Sequence, residues 1–187
     1  LYVEPGFTAL DNTDGDLSGS VTISGSIDIN AEGSYVLSYD VTDAGGNAAT
    51  TQTRTINVVT PVAIFIEAET ATISASHTVE STNSGFTGPG YIQYVGEGDI
   101  EFTFDAFELS YDLAVRYAWD TGDRPLEVIL NGQSLGLLAF PATGSLTTWA
   151  PPTTALTLDL QSGSNTLRFV TTGSSGANLD SLTITPQ

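Results

Sequence analysis

The sequence predicts an all-β chain made of two β-sandwiches. Apolar and polar residues alternate in short runs such as 34–41 (SYVLSYDV), 113–117 (LAVRY) and 179–184 (LDSLTI). Val, Ile, Thr, Tyr and Phe fill these runs, and Gly, Asn, Asp, Ser and Pro separate them at short intervals. This pattern is typical of sandwich strands joined by tight turns, and we find no convincing helical spacing over ten or so residues.

A domain boundary is predicted near Thr60-Pro61. Residues 1–60 hold about five or six short candidate strands, which suits a small immunoglobulin-like sandwich. Residues 61–187 hold about eight to ten candidate strands, which is the size of a jelly-roll sandwich. A chain of 187 residues, 40% of them hydrophobic, can bury a core in a domain of this size.

An acidic run, residues 11–16 (DNTDGD), lies early in the first predicted domain. An EF-hand calcium loop needs acidic groups at its first, third and fifth positions and glycine at the sixth. Here the third position is Thr13, the fifth is Gly15 and the sixth is Asp16, so the register fails. We predict a turn closed by aspartate side chains instead.

The first domain shares three segments with a known group of modules. They are the opening PGFTALDNTDGD, the centre GSYVLSYDVTDAGGNAA and the closing TRTINV, and together they span most of residues 3–58. On these segments the chain resembles the bacterial immunoglobulin-like modules found as spacers in secreted multidomain proteins. The resemblance implies a spacer without chemistry of its own.

Charge and composition argue against several functions. The chain has 4 Lys and Arg against 22 Asp and Glu, and its formal net charge is −18. This charge repels nucleic-acid phosphates and anionic lipid head groups, so neither nucleic acid nor a membrane is an expected partner. There is no Cys, and the single histidine, His77, argues against a Ser-His-Asp triad or a multi-histidine metal site. We expect His77, which lies in a Ser/Thr-rich stretch, to be solvated.

The second domain opens with two closely spaced glutamates. Residues 63–69 (AIFIEAE) predict a strand with Ile and Ala on one face and with Glu67 and Glu69 on the other, roughly 7 Å apart. Asp180 begins the last predicted strand, and because domain termini often lie close together, we expect the first and last strands to pair. Three carboxylates brought together in this way favour calcium, with backbone carbonyls of the glycine-rich loop at 84–90 as further ligands.

Two other interpretations of the glutamates stay open. Their separation falls within the roughly 5–9.5 Å of a glycosidase carboxylate pair. Neighbours on one strand, however, lie on the same side of any substrate rather than across it. The other alternative is a pair of solvated surface charges. Of the three interpretations, the residues favour the metal site.

Both tryptophans lie in polar, turn-like surroundings that could form a sugar site. Trp119 is followed by DTGD, and Trp149 lies between TGSLTT and APP. Sugar rings stack their C–H faces on aromatic rings, while their hydroxyls need amide or carboxylate partners. Asn178, just before Asp180, could supply amide hydrogen bonds in both directions.

The second domain shares segments, in order, with one group of families. They are IEAETA, GFTGPGYI, YDLAVRYA, DRPLEVILNG, FPATGSLTTW, LDLQSGSNTLRF and GSSGANLDSLTI. On these segments residues 64–185 resemble the carbohydrate-binding modules of families 6 and 35, which are jelly-roll sandwiches that bind polysaccharides without catalysis. The resemblance implies a structural calcium ion at Glu67, Glu69 and Asp180.

The resemblance also implies a sugar site at the loop end of the sandwich. Trp149 is expected to hold the sugar ring and Asn178 to bond its hydroxyls. Tyr94 and Trp119, on neighbouring loops, are expected to complete the wall of the site.

The sequence therefore predicts a non-catalytic carbohydrate-binding module with a structural calcium ion. We expect it to target a secreted bacterial polysaccharide-degrading enzyme to its polymer. The expected partners are a polysaccharide or oligosaccharide and a tethered catalytic domain, and the chain is expected to be a monomer. The alternative function is a structural or adhesive stalk of a cell-surface protein.

Overall fold

The chain forms two compact units, Leu1–Thr60 and Pro61–Gln187. The computed structural model describes residues 2–151, 153–173 and 175–187, and for residues 153–155 it describes the backbone alone. In these residues no helix has both the length and the apolar character that crossing a membrane requires.

The first unit consists of short antiparallel strands. They are β1 (Leu10–Asp11), β2 (Gly15–Asp16), β3 (Thr22–Ser24), β4 (Gly33–Asp40) and β5 (Gln52–Val58). β1 pairs with β2, and β4 lies between β3 and β5 in a three-stranded sheet. Such small sheets cover little apolar surface, and among the described residues of this unit only Leu37 is a fully buried hydrophobic side chain, at 8% exposure.

The acidic run in the first unit forms a turn, as predicted. An Asp11 Oδ1 atom accepts hydrogen bonds from the backbone N–H groups of Thr13, at 2.7 Å, and Asp14, at 2.8 Å. These bonds close the reversal between β1 and β2, which is the usual role of aspartate in a turn.

The second unit is a sandwich of two antiparallel sheets. One sheet has the order β13-β12-β15-β10-β7, and the other has the order β14-β11-β16-β9-β8, with β6 also paired to β16. The bounds are β6 (Ile64–Glu67), β7 (Thr72–Ile73), β8 (His77–Glu80), β9 (Tyr91–Tyr94), β10 (Asp99–Ala106), β11 (Leu109–Ala118), β12 (Leu126–Leu130), β13 (Gln133–Leu138), β14 (Thr153–Leu160), β15 (Gly163–Thr171) and β16 (Asn178–Pro186).

The core of this sandwich follows from the alternation of the strands. In β12 the side chains of Leu126, Val128 and Leu130 are buried, and the two residues between them are only partly buried. Phe102 and Phe169 meet edge to face across the core, with ring centroids 6.0 Å apart. The predicted all-β class is confirmed, and the sandwich is of the jelly-roll type.

The first and last strands of this unit pair with each other, as predicted. β6 and β16 run antiparallel, with Ile64 opposite Ile184 and Glu67 opposite Ser181. This pairing brings the glutamate end of β6 next to the beginning of β16.

One tight turn requires left-handed backbone. Asn131 and Gly132 join β12 to β13 with φ angles of 49° and 82°. An Asn-Gly pair is the usual sequence of a two-residue hairpin turn with positive φ at both positions.

The expectation that His77 is solvated is wrong. His77 begins β8, is only 4% exposed, and lies under the ring of Tyr94 at a centroid distance of 4.3 Å. Among the described residues, its Nε2 atom has no hydrogen-bond partner. The Ser/Thr-rich surroundings suggested a loop, whereas pairing with β9 carries the ring into the interior.

Candidate functional site

The two glutamates of the predicted site do not lie on one strand. β6 ends at Glu67, and residues Ala68–Thr70 form a 3-10 turn that contains Glu69. The turn is closed by a 2.7 Å hydrogen bond from the Thr70 hydroxyl to the carbonyl of Glu67. The prediction of one continuous strand is therefore wrong at Glu69, although Ala68 does pack into the core.

Both glutamates nevertheless face the same loop residue, Gly88. A Cβ atom placed on Gly88 would lie 2.6 Å from Glu69 Oε1, 2.9 Å from Glu67 Cδ and 3.0 Å from Glu67 Oε1. Gly88 also has a φ of +62°, a conformation that L side chains rarely adopt. Glycine at this position therefore leaves the space in which the two carboxylates converge.

Asp180 lies beside this pair at a bulge in β16. Its neighbour Ser181 pairs with Arg116 of β11, whereas Leu179 pairs with Tyr117, so Asp180 is the extra residue. A bulge of this kind redirects a side chain out of the regular alternation. Asp180 is fully buried, and its two oxygens accept hydrogen bonds from the backbone N–H of Thr87, at 2.8 Å, and from the Thr87 hydroxyl, at 3.0 Å.

Thr87 connects the carboxylates of β6 and β16. Its hydroxyl oxygen also lies 2.9 Å from Glu67 Oε2. Asp180 forms in addition an ion pair with the guanidinium of Arg116. The loop therefore lies against all three acidic residues that the sequence had indicated.

Glu69 differs from Glu67 and Asp180 in that, among the described residues, its buried oxygens accept no hydrogen bond of good geometry and form no ion pair. Burial raises the pKa of Glu69, and the negative charges of Glu67 and Asp180 raise it further, while nearby backbone N–H groups, including that of Gly90, offset part of the rise. Unpartnered carboxylate oxygens next to a second carboxylate are suitable ligands for a hard cation.

The three predicted ligands do not form a complete metal site by themselves. Across residues 2–151, 153–173 and 175–187, no three His, Asp or Glu side chains are grouped so that they could hold a metal ion. Asp180, the third predicted ligand, is already bound by Arg116 and Thr87. Glu67 and Glu69, by contrast, converge at Gly88 and form no ion pair with a described residue.

Trp149 lies on the other side of the same loop. Its indole Nε1–H donates to the carbonyl of Ser84 at 3.0 Å, and the edge of its ring packs on Tyr91 at a centroid distance of 5.2 Å. The Arg116 guanidinium lies over the ring at 5.4 Å. The Trp149 side chain is partly exposed, so a ring fixed by several contacts still reaches the surface.

Trp119 follows β11 and is fixed in a similar way. Its Nε1–H donates to the carbonyl of Thr121 at 2.5 Å, and the Arg124 guanidinium lies 4.4 Å from the ring centroid. Loop 141–150 connects the two tryptophans, because Thr143 and Ala150 donate backbone N–H bonds to the carbonyls of Trp119 and Tyr117. Trp119 also packs against the core, so only part of its ring faces solvent.

The structure contradicts the prediction that Tyr94 contacts a sugar. Tyr94 is 4% exposed, and its hydroxyl donates to the carbonyl of Phe169 at 3.2 Å. Asn178 is also buried, at 1% exposure, and its Nδ2 has no partner among the described residues. Direct contact between Asn178 and a ligand would require the loop before β16 to move, so the accessible part of the predicted wall is formed by the two tryptophans.

Two residues central to this region were missed by sequence reasoning. They are Arg116, for which alternation along β11 predicts only a place at the surface or rim, and Thr87, which lies in a loop expected to supply only carbonyls. Alternation in β11 does place Arg116 on the outward face, but the bulge that turns Asp180 towards it has no signal in the sequence pattern. The glycine-rich composition of the loop did indicate a close approach of backbone to side chains.

Two cavities of about 460 Å³ lie away from this loop. One, in the first unit, is lined by residues that include Phe7, Tyr39 and Arg54. The other, in the second unit, is lined by residues that include Ile64, Phe107 and Tyr111. Neither cavity is lined by Trp149 or Trp119.

A jelly-roll sandwich with restrained, partly exposed tryptophans on its loops agrees with the class of carbohydrate-binding β-sandwich modules, and the match to a family model shows that class. Residues 67–186 match the family model described as "Carbohydrate binding module (family 6)", and residues 1–58 match the one described as "Bacterial surface protein, Ig-like domain". The chain belongs to the family 6 carbohydrate-binding modules through its second unit, which confirms the resemblance seen in the sequence.

Individual relatives agree with this membership. The chain is 37% identical over 124 residues to an exo-beta-D-glucosaminidase of Amycolatopsis orientalis, covering 63% of this chain and 12% of that protein. It is 34% identical over 123 residues to a mannan endo-1,4-beta-mannosidase of Thermothelomyces thermophilus, covering 64% of this chain and 24% of that one. The chain thus spans less than a quarter of the length of these curated relatives.

A solved structure shows the same relationship for an isolated module. The family 35 carbohydrate-binding module from Clostridium thermocellum is 30% identical to this chain, with a TM-score of 0.61. The match covers 67% of this chain and 98% of that module.

Proposed function

We propose that the second unit binds a polysaccharide on a platform formed by Trp149. The observation that carries this proposal is the restraint of a partly exposed indole by Ser84, Tyr91 and Arg116. Its N–H is already bonded within the protein, so the ring offers a stacking surface rather than a hydrogen-bond donor. A ring held in place before binding loses little conformational entropy when a sugar stacks on it.

A calcium ion is proposed at Glu67 and Glu69, next to Asp180. The support is the pair of unpartnered Glu69 oxygens and the space left by Gly88 between the two carboxylates. Backbone carbonyls of loop 84–90 would complete the oxygen ligands that calcium prefers. The ion would be structural, because it would neutralise like charges that now face one another.

The role proposed for the whole protein is targeting. The curated relatives are enzymes of which this chain matches only a part, which supports a module tethered to a polysaccharide-degrading domain of a secreted protein. Tethering raises the local concentration of the catalytic domain on its polymer without any new contact. We expect a weak affinity for the single module, because a shallow platform buries few sugar rings.

The test is titration of the whole chain with a panel of glycans, followed by two variants. The panel contains mannan and glucosamine polymers, suggested by the names of the relatives, together with xylan, pectin, agar and α-glucans. Trp149→Ala should weaken binding at least about fivefold, because stacking of a ligand ring on an aromatic side chain contributes on the order of 1–3 kcal/mol. Phe107→Ala removes an aromatic ring that is more exposed than Trp149, at 47%, and lies outside the tryptophan loops, and it should leave the affinity unchanged.

Two outcomes would contradict the proposal. If the folded chain bound no glycan of the panel, polysaccharide binding would be refuted. If Trp149→Ala kept full affinity, the binding platform would have to lie elsewhere on the sandwich.

A second candidate function is a stalk in a cell-surface protein. The observation that favours it is the match of residues 1–58 to an immunoglobulin-like domain of bacterial surface proteins. A stalk needs no glycan affinity, so the same titration separates the two functions. An enzyme that uses Glu67 and Glu69 is disfavoured, because both carboxylates face Gly88 from one side and could not flank a glycosidic bond.

A further inference from the structure

We propose that Arg116 is a positioning residue for sugar recognition, which fixes Trp149 and loop 84–88 on the buried charge of Asp180. This inference rests on the proposed platform at Trp149. It concerns how that platform is held rather than which glycan it binds.

The guanidinium of Arg116 makes three different contacts. One nitrogen pairs with Asp180, the other donates to the carbonyl of Gly85 at 2.7 Å, and the group as a whole lies over the Trp149 ring. Only a planar fork can make these contacts together, because a lysine ammonium is a compact point charge. Arg116 therefore connects a strand, a loop and the platform through a single side chain.

The loop residue that Arg116 holds is itself in contact with the platform. A Cβ atom at Gly85 would lie 3.0 Å from Trp149 Cδ1 and 3.3 Å from Nε1, so the bare backbone packs on the pyrrole edge of the ring. The preceding residue, Ser84, accepts the indole hydrogen bond. A shift of the Gly85 carbonyl would therefore move both contacts of the indole with the loop.

Asp180 is a suitable anchor because it cannot move easily. It is fully buried, whereas the Arg116 side chain is 22% exposed, and Thr87 holds the Asp180 carboxylate from the loop side. A buried carboxylate that loses its cation is strongly destabilised. The ion pair with Asp180 therefore fixes the guanidinium of Arg116, and its contacts with the Gly85 carbonyl and the Trp149 ring hold the indole in place.

The test uses Arg116→Lys in the whole chain. Lysine keeps a positive charge near Asp180, so the fold should persist, but it cannot also hold Gly85 and cover the Trp149 ring. We expect the affinity for the best glycan of the panel to fall about tenfold, as for the loss of one charged hydrogen bond or one cation–π contact. Arg168→Lys is the matched control, because Arg168 pairs with Asp99 on the other sheet and should not alter the affinity.

A second readout needs no sugar. In a Trp119→Phe background Trp149 is the single tryptophan of the chain. Adding Arg116→Lys should then shift its fluorescence emission and increase its quenching by acrylamide, whereas adding Arg168→Lys should change neither.

The outcomes separate this inference from the proposed function. Weaker glycan binding together with greater Trp149 quenching supports a positioning role. Unchanged quenching overturns it, and if the affinity falls in that case, Arg116 contacts the sugar directly. If the wild-type chain binds no glycan, the proposed function fails, and the quenching experiment still decides whether Arg116 positions Trp149.

Discussion

Replacing Gly88 by alanine adds one atom, the Cβ, in the space where the carboxylates of Glu67 and Glu69 converge. The new Cβ would lie 2.6 Å from Glu69 Oε1 and 2.9 Å from Glu67 Cδ, which is closer than non-bonded atoms approach. The backbone there has a φ of +62°, which adds conformational strain for any residue with a Cβ.

The expected loss of stability has two parts. Left-handed backbone costs an L-residue about 1–2 kcal/mol, and displacing the flexible ends of the two glutamates adds about 1 kcal/mol, the low end of the range for an additional methyl group in occupied space. Together they lower the free energy of unfolding by about 2–3 kcal/mol, which corresponds to roughly 10 °C in the melting temperature of a domain of this size. The displaced glutamates should also lose their ability to share a cation.

Gly132→Ala separates these two parts. Gly132 has a φ of +82°, and nothing lies within 4 Å of the position of its Cβ, so its substitution introduces strain without a contact. Calorimetry of both variants with calcium and with a chelator should show a smaller loss for Gly132→Ala and an intact calcium effect. An equal loss in both variants, with calcium stabilisation retained in Gly88→Ala, would refute the proposed role of the pair.

Further predictions concern the first unit and the core of the second. Hydrogen bonding by the Tyr39 hydroxyl lowers the pKa of Glu4. The stability that ionised Glu4 contributes should therefore be present above about pH 4.5 and lost as the pH falls through the lowered pKa. Acid unfolding of Glu4→Gln should lack this pH-dependent loss. The same contact raises the pKa of Tyr39 to about 12, and Glu4→Gln should lower it, as NMR of ¹³C-labelled tyrosine would show. Phe102→Ala should destabilise the second unit by about 3–5 kcal/mol in denaturant unfolding, because it leaves a cavity against Phe169, and a loss below about 1 kcal/mol would contradict this.

The regular parts of the second unit could be predicted from its sequence. Alternation identifies the buried positions of β12 because one face of that strand meets the core and the other meets solvent. The pairing of β6 with β16 followed from the general proximity of domain termini, and it placed Glu67 near Asp180 correctly. These features depend on local periodicity or on chain topology, and both can be recognised from the order of residues in the sequence.

The irregular parts could not be predicted in the same way. Glu69 left the strand because Thr70 bonds back to Glu67, and a single hydroxyl does not change the periodic pattern. Tyr94 is the last residue of β9, a short strand in which three of four residues are buried, so alternation gave no indication of its face. The partnership of Arg116 with Asp180 depends on a one-residue bulge between two distant segments, which only the folded chain reveals.

The antiparallel pairing of β6 with β16 also determines how the second unit responds to mechanical load. Ile64 and Ile184 form the pair nearest to both ends of the unit, and Glu67 and Ser181 form the pair farthest from them. Tension applied between residues 61 and 187 therefore breaks the hydrogen-bonded pairs of β6 and β16 one after another, beginning at Ile64 and Ile184, rather than all at once. Glu67, Glu69 and Asp180 lie beside the last of these pairs, so their contacts bear the tension only after the rest of β6 has separated from β16.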